Sequence, residues 1–137
     1  EIRDQEMREF TLHLLQNGRL TPSLLIRAMG LGRMSVVKFA LASLAGVSPN
    51  KADLMLFDAG PFGLKSLCVS AGLNDTTTRV IRAGCAIHRD LEISGIEYDA
   101  EYFQTLMLQR MMTLPLELSQ QDQKWFLERL DAMQEAA

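Results

Sequence analysis

Punctuation is the feature that most restricts this chain. Glycines stand at positions 18, 30, 32, 46, 60 and 72, and prolines at 22, 49, 61 and 115. Glycine accepts the left-handed conformation that ends a helix, and proline is tolerated in a first turn, where its missing N–H costs nothing. Between these marks apolar residues recur at helical spacing. No stretch sustains the period-two alternation of a half-buried strand. A chain marked this way is expected to fold as many short helices.

The segments follow from the marks. Residues 2–17 form a first helix, closed by Asn17-Gly18. Thr21 caps a second, opened by Pro22 and carrying Leu24, Leu25, Ala28 and Met29; Gly30 and Gly32 end it. A third spans about 34–45, with Val36, Val37, Ala40, Leu41 and Leu44 on one face and Gly46 at its end. Ser48 caps the next and Pro49 opens it; Gly60 closes it and Pro61 blocks continuation. A short helix over about 62–70 ends at Gly72. Asn74 or Asp75 caps a longer one over about 76–93. Asp99 caps a helix to about 113, stopped before Pro115, and Ser119 starts the last, which buries Trp125, Phe126, Leu130 and Met133. The expected fold is all-α, with seven or eight helices in one domain over residues 1–137.

There is an internal echo. "LAGVSPNKADLMLFDAG" (44–60) and "SAGLNDTTTRVIRAG" (70–84) each carry Ala-Gly, an aliphatic residue, a capping residue, large apolar residues and a closing Ala-Gly. Two copies of a helical hairpin suggest antiparallel pairs stacked as in HEAT-like α-solenoids.

Composition narrows the class. A chain of 137 residues, 47% hydrophobic and 23% charged, is globular and can bury a core without disulfides or metal. No apolar run approaches the ~18 residues that a membrane span needs. Cys68 and Cys85 lack framework spacing, which suggests a reducing compartment and a cytoplasmic setting. No leader is visible, and a start at Glu1 leaves room for a removed upstream segment.

The run from Leu24 to Leu73 resembles an uncharacterised bacterial domain-of-unknown-function family. Leu24, Leu25, Arg27 and Ala28 fit its opening, and Phe39, Leu41, Ala42, Leu44, Ala45 and Gly46 fit its next helix. Asp58 and Gly60 follow, then Gly63, Leu64 and Leu67, then Ala71, Gly72 and Leu73. Spacing departs slightly after Phe39, where only Ala40 and Leu41 follow directly. The resemblance covers about residues 20–90. It implies a HEAT-like all-helical protein, excised from a longer chain where family members are longer. It implies no activity.

Charge is uneven. Residues 1–18 have net −2, residues 19–89 net +6, and residues 90–137 net −7. A basic middle can face an acidic partner, or the opposite charges can neutralise each other within one compact domain. "LASLAGVSPNKADLMLF" (41–57) reads like a DNA-binding helix-turn-helix. Its second helix, however, carries one Lys against two Asp, and Leu54, Met55, Leu56 and Phe57 want burial. A recognition helix instead needs polar side chains near its N-terminus that reach base edges. "NDTTTRVIRAG" offers Thr76, Thr77, Thr78, Arg79 and Arg82 for phosphates, if further basic groups converge there.

No catalytic constellation stands out. Cys85 and His88 have the spacing of half a metal site, with Cys68 and His13 as completions. Cys85 shares a helical face with Val80, Ile81 and Gly84, which favours core packing. A cysteine–histidine nucleophile pair lacks an orienting group. "GPFGLKS" (60–66) has Leu64 where a phosphate loop needs Gly, and "GLGRMS" (30–35) lacks the third Gly of a dinucleotide turn. Glu92, Glu97, Asp99 and Glu101 gather where a helix begins and suit its dipole.

Eight methionines are many for this length. Met107, Met111 and Met112 share a helix with Leu106, Leu108 and Leu114, which makes that helix either central or an adaptable docking surface. The reading is a non-enzymatic protein-interaction or scaffolding module, plausibly regulatory. It needs no cofactor, and its partner is an unknown protein or a second copy. Its candidate contacts are Arg27, Arg33, Lys38, Lys65, Arg79, Arg82, Met107 and Met111. A nucleic-acid-binding domain is the alternative.

Overall fold

The computed structural model describes residues 2–95, 97 and 99–136. Those residues form eight helices and no strand: α1 (Ile2–Gln16), α2 (Pro22–Gly30), α3 (Met34–Ala45), α4 (Pro49–Phe57), α5 (Gly60–Ser70), α6 (Asp75–Ile93), α7 (Ala100–Thr113) and α8 (Gln120–Ala136).

The caps anticipated from the sequence hold most helix starts. Thr21 Oγ1 accepts from the Leu24 N–H at 3.2 Å, Ser48 Oγ from Lys51 at 3.1 Å, and Asn74 Oδ1 from Thr77 at 2.8 Å. The two copies of the internal echo share one device. Gly46 and Gly72 adopt φ of 70° and 78°. The next residue then donates five residues back, Val47 to Ala42 O and Leu73 to Cys68 O, each at 3.0 Å. That bond satisfies a carbonyl that the helix end would otherwise orphan. The closing Ala-Gly pairs of the echo are not equivalent. Gly60 opens α5 instead of closing α4, and Gly84 lies inside α6.

The core is built around α3 and α6. Helix α3 packs on α1, α2, α4 and α5, and α6 on α2, α4, α5 and α7. Leu25, Met29, Leu41, Leu56, Leu67, Ile81, Phe103 and Met107 are its largest fully buried apolar side chains. Chain neighbours α4 and α5, and α6 and α7, pack on each other. Helix α2 also lies against α6 and α7, far along the chain, a contact that a linear array of neighbour-only repeats does not require.

Helix α2 approaches α6 closely because Gly84 has no side chain. A Cβ there would run into the Met29 thioether. At the C-terminal end of α2, Gly30 admits the Phe126 ring of α8, which would lie 2.5 Å from a Cβ.

Candidate functional site

An apolar groove runs between α7 and α8. Helix α7 starts where the Asp99 carboxylate accepts from the Tyr102 N–H at 2.9 Å. Its inner stripe, Phe103, Met107, Leu108 and Met111, is buried. Extended residues from Leu114 to Ser119 then carry the chain back across α6. There Arg79 Nη1 donates to Pro115 O at 3.0 Å, and the Glu117 N–H donates to Thr76 Oγ1 at 3.3 Å.

Ser119 sets the register of α8 by accepting from the Asp122 N–H at 3.1 Å. Asp122 is thereby turned inward and buried. Its carboxylate accepts from Ser23 Oγ at 2.9 Å and pairs with Arg27 Nε at 3.0 Å. One turn on, Trp125 stands under two guanidinium groups, Arg27 at 5.3 Å and Arg129 at 5.8 Å from the ring. Trp125 meets Phe126 edge to face at 4.8 Å. Arg129 Nη2 donates to Gln104 Oε1 at 3.1 Å, and Gln104 Nε2 donates to Leu31 O at 3.2 Å. This network fastens α8 to α2 and α7 on one side and leaves its other side open.

The open side, with α7, encloses about 200 Å³. Leu108, Met111 and Phe126 form the floor; Met112, Leu127 and Leu130 form the walls, with Leu118 and Gln123 at one end. Met112 is 71% exposed and Leu127 60% exposed. The exposed charges nearest along the chain to these lining residues are of both signs: Glu117, Glu128 and Asp131, with Arg110 and Lys124.

The candidate contacts separate in space. Arg27 is committed to Asp122 and Trp125. Arg79 pairs with Asp75 at 3.0 Å as well as holding Pro115. Lys38 on α3 lies over the Phe39 ring at 4.9 Å and lines a charged cleft against α1. Arg33 is exposed ahead of α3, while Lys65 and Arg82 are exposed on the adjoining helices α5 and α6. Met107 is fully buried and belongs to the core, whereas Met111 lines the groove floor. The contiguous feature is the groove. Leu127 and Leu118, which complete it, were not singled out from the sequence. The one signal was three large apolar residues in succession, Trp125-Phe126-Leu127, more than one helix face buries against one neighbour.

In the helix-turn-helix-like stretch, Ala52 and Leu56 of α4 are buried and Asn50, Lys51 and Leu54 are exposed. Cys68 and Cys85 are both buried. Burial pushes the Cys85 thiol up to about 12, helped by Cys68 nearby. The Cys68 thiol is also raised by burial, against a hydrogen bond from Thr78 and the charge of Arg82. A raised thiol is a poor nucleophile. His13 of α1 is exposed beside Asn17, and His88 lies 3.1 Å from Glu92 with its ring tilted at 51° to that of Phe57. Among the described residues no three His, Cys, Asp or Glu side chains gather as a metal site, and no helix is long and apolar enough to cross a membrane.

Residues 1–115 match a bacterial family described as an uncharacterised protein conserved in bacteria (DUF2336), and the chain belongs to that family. The match spans α1 to α7, so the α7 wall of the groove lies within it and α8 beyond it. No curated protein and no solved structure matches the chain.

Proposed function

We propose that this member of the uncharacterised bacterial family is a non-enzymatic protein-interaction module that docks the apolar face of an amphipathic segment in the α7–α8 groove. The observation that supports the reading is an apolar groove of about 200 Å³ lined in part by Met112 and Leu127, both largely exposed. Apolar side chains at solvent-facing positions on two adjacent helices invite a partner. Methionine adapts its shape to whatever is inserted.

A labelled model peptide of leucine and lysine at helical spacing tests this, beside a counterpart with serine in place of leucine. The leucine peptide binds at least about tenfold more tightly, a difference of about 1.4 kcal/mol. Met112→Asp and Leu127→Asp each weaken it by a similar factor with the helical circular dichroism unchanged. Equal binding of both peptides, or binding indifferent to both substitutions, overturns the reading.

A further inference from the structure

Close backbone packing joins α1 through α7, and α8 stands outside it, attached through side chains. Of the α8 side chains described, 120–133, only Asp122 and Phe126 are buried, four residues apart on one face. Each is a peg with its own socket. The Asp122 carboxylate sits against Arg27 Nε at 3.0 Å and Ser23 Oγ at 2.9 Å. The Phe126 ring takes the space over Gly30, where a Cβ would lie 2.5 Å from the ring edge. Both sockets belong to α2.

The two sides of the groove are therefore held differently. Helix α7 is locked into the core through Phe103 and Met107, both fully buried. Helix α8 supplies Phe126, Leu127 and Leu130, and it depends on two pegs. None of Ser23, Arg27, Gly30 and Asp122 lines the groove. The groove exists only while α8 is seated, and the residues that seat it lie elsewhere.

We infer that α8 is a latch that makes and unmakes the docking groove, with the α2 sockets for Asp122 and Phe126 as its catch. The inference rests on the reading of the groove as a docking site and names how that site is regulated. Two buried side chains are a small anchor for a 17-residue helix, and an element with few buried contacts opens at lower free energy than the core. When α8 lifts, α1 to α7 keep their packing and lose only the α8 side of the groove. A segment in the groove touches the seated form alone, so it draws α8 down. Whatever loosens α8 weakens that binding in proportion to the chains left seated.

Trp125 is the sole tryptophan of the chain and rides on the latch. Its emission follows α8, while helical circular dichroism follows the whole fold. In urea, Trp125 emission shifts to the red before the main fall in helical signal. Unlabelled leucine–lysine peptide, which holds no tryptophan, moves the emission change to higher urea and leaves the main fall in place. Arg27→Gln loosens one socket and Gly30→Ala fills the other. Each weakens peptide binding about tenfold, the loss expected when about one chain in ten stays seated, with the main helical transition retained. Arg27→Gln removes a positive charge, which alone would favour a lysine-bearing peptide, so repulsion does not explain its loss. A single transition seen by both signals overturns the latch. So does peptide binding unchanged in both variants, and in either case a peptide that binds the wild type leaves the groove reading standing. A peptide that fails to bind the wild type overturns that reading and the latch with it.

Discussion

Gly84, in the middle of α6, holds the Met29 side chain of α2 against its Cα, where a Cβ would collide with the thioether. Alanine normally improves a helix interior by about 1 kcal/mol over glycine. Here the added methyl has to displace a fully buried side chain, and overpacking of that kind costs about 1–3 kcal/mol. Gly84→Ala therefore destabilises the protein, seen as a lower urea midpoint. Pairing it with Met29→Ala makes room for the methyl and leaves the double variant less unstable than the two separate losses predict. An unchanged midpoint for Gly84→Ala would show that the two helices have slack.

Asp122 and Arg27 test what holds α8. The carboxylate is buried, the guanidinium is about a third exposed, and Ser23 completes the pairing. Asp122→Ala leaves Arg27 and Ser23 without their acceptor and costs about 2 kcal/mol, below the usual loss for a fully buried pair because Arg27 can turn to water. Amide hydrogen exchange shows α8 opening first, with α3 and α6 still protected. Uniform loss of protection across the chain would mean that α8 and the core unfold as one unit.

Asn74 caps α6 and does a second thing. Its Oδ1 accepts from both the Thr77 N–H and the Thr77 hydroxyl, each at 2.8 Å, and Thr77 is fully buried. Asn74→Ala removes a cap and orphans a buried hydroxyl, costing about 2 kcal/mol. Thr77→Val on that background recovers part of the loss in the same denaturation measurement.

The buried thiols predict a pH dependence. Cys85 titrates at about 12 in the folded chain against 9.0 for an ordinary cysteine. Below pH 9 both states are protonated and the thiol's contribution is intact. Above it the unfolded chain releases the proton while the folded chain keeps it, so stability falls as pH rises from 9 towards 12, at up to about 1.4 kcal/mol per pH unit. Cys85→Ala flattens that fall relative to the wild type in urea melts at pH 8 and pH 10.5. An identical slope in both proteins would place the alkaline sensitivity elsewhere.

Anisotropy of labelled duplex DNA discriminates the alternative function. Arg79 already holds Asp75 and Pro115, and Arg27 holds Asp122, so these two guanidinium groups are committed within the chain. The expected result at low salt is weak binding at most, unaltered by Arg79→Ala. Tight binding that falls steeply with salt and is lost in Arg79→Ala with Arg82→Ala would favour a nucleic-acid domain over the peptide groove.

By itself the amino-acid order determined where helices begin and end. Caps, left-handed glycines and first-turn prolines act within five residues of one another, so Thr21, Gly46, Ser48, Asn74 and Asp99 could be read correctly one segment at a time. Tertiary structure decided which faces meet. Arg27 looked like a free surface cation, and only the fold brings to it Asp122, 95 positions further along the chain. Met107 and Met112 belong to one helix and one composition signal, yet one is sealed in the core and the other open, because α6, α2 and α8 cover one side of α7 only. Gly84 looked like the closing glycine of a repeat and is instead a point of helix contact. Such facts depend on pairs of residues far apart in the chain, and no local pattern carries the energy of a contact whose partner has not yet been placed.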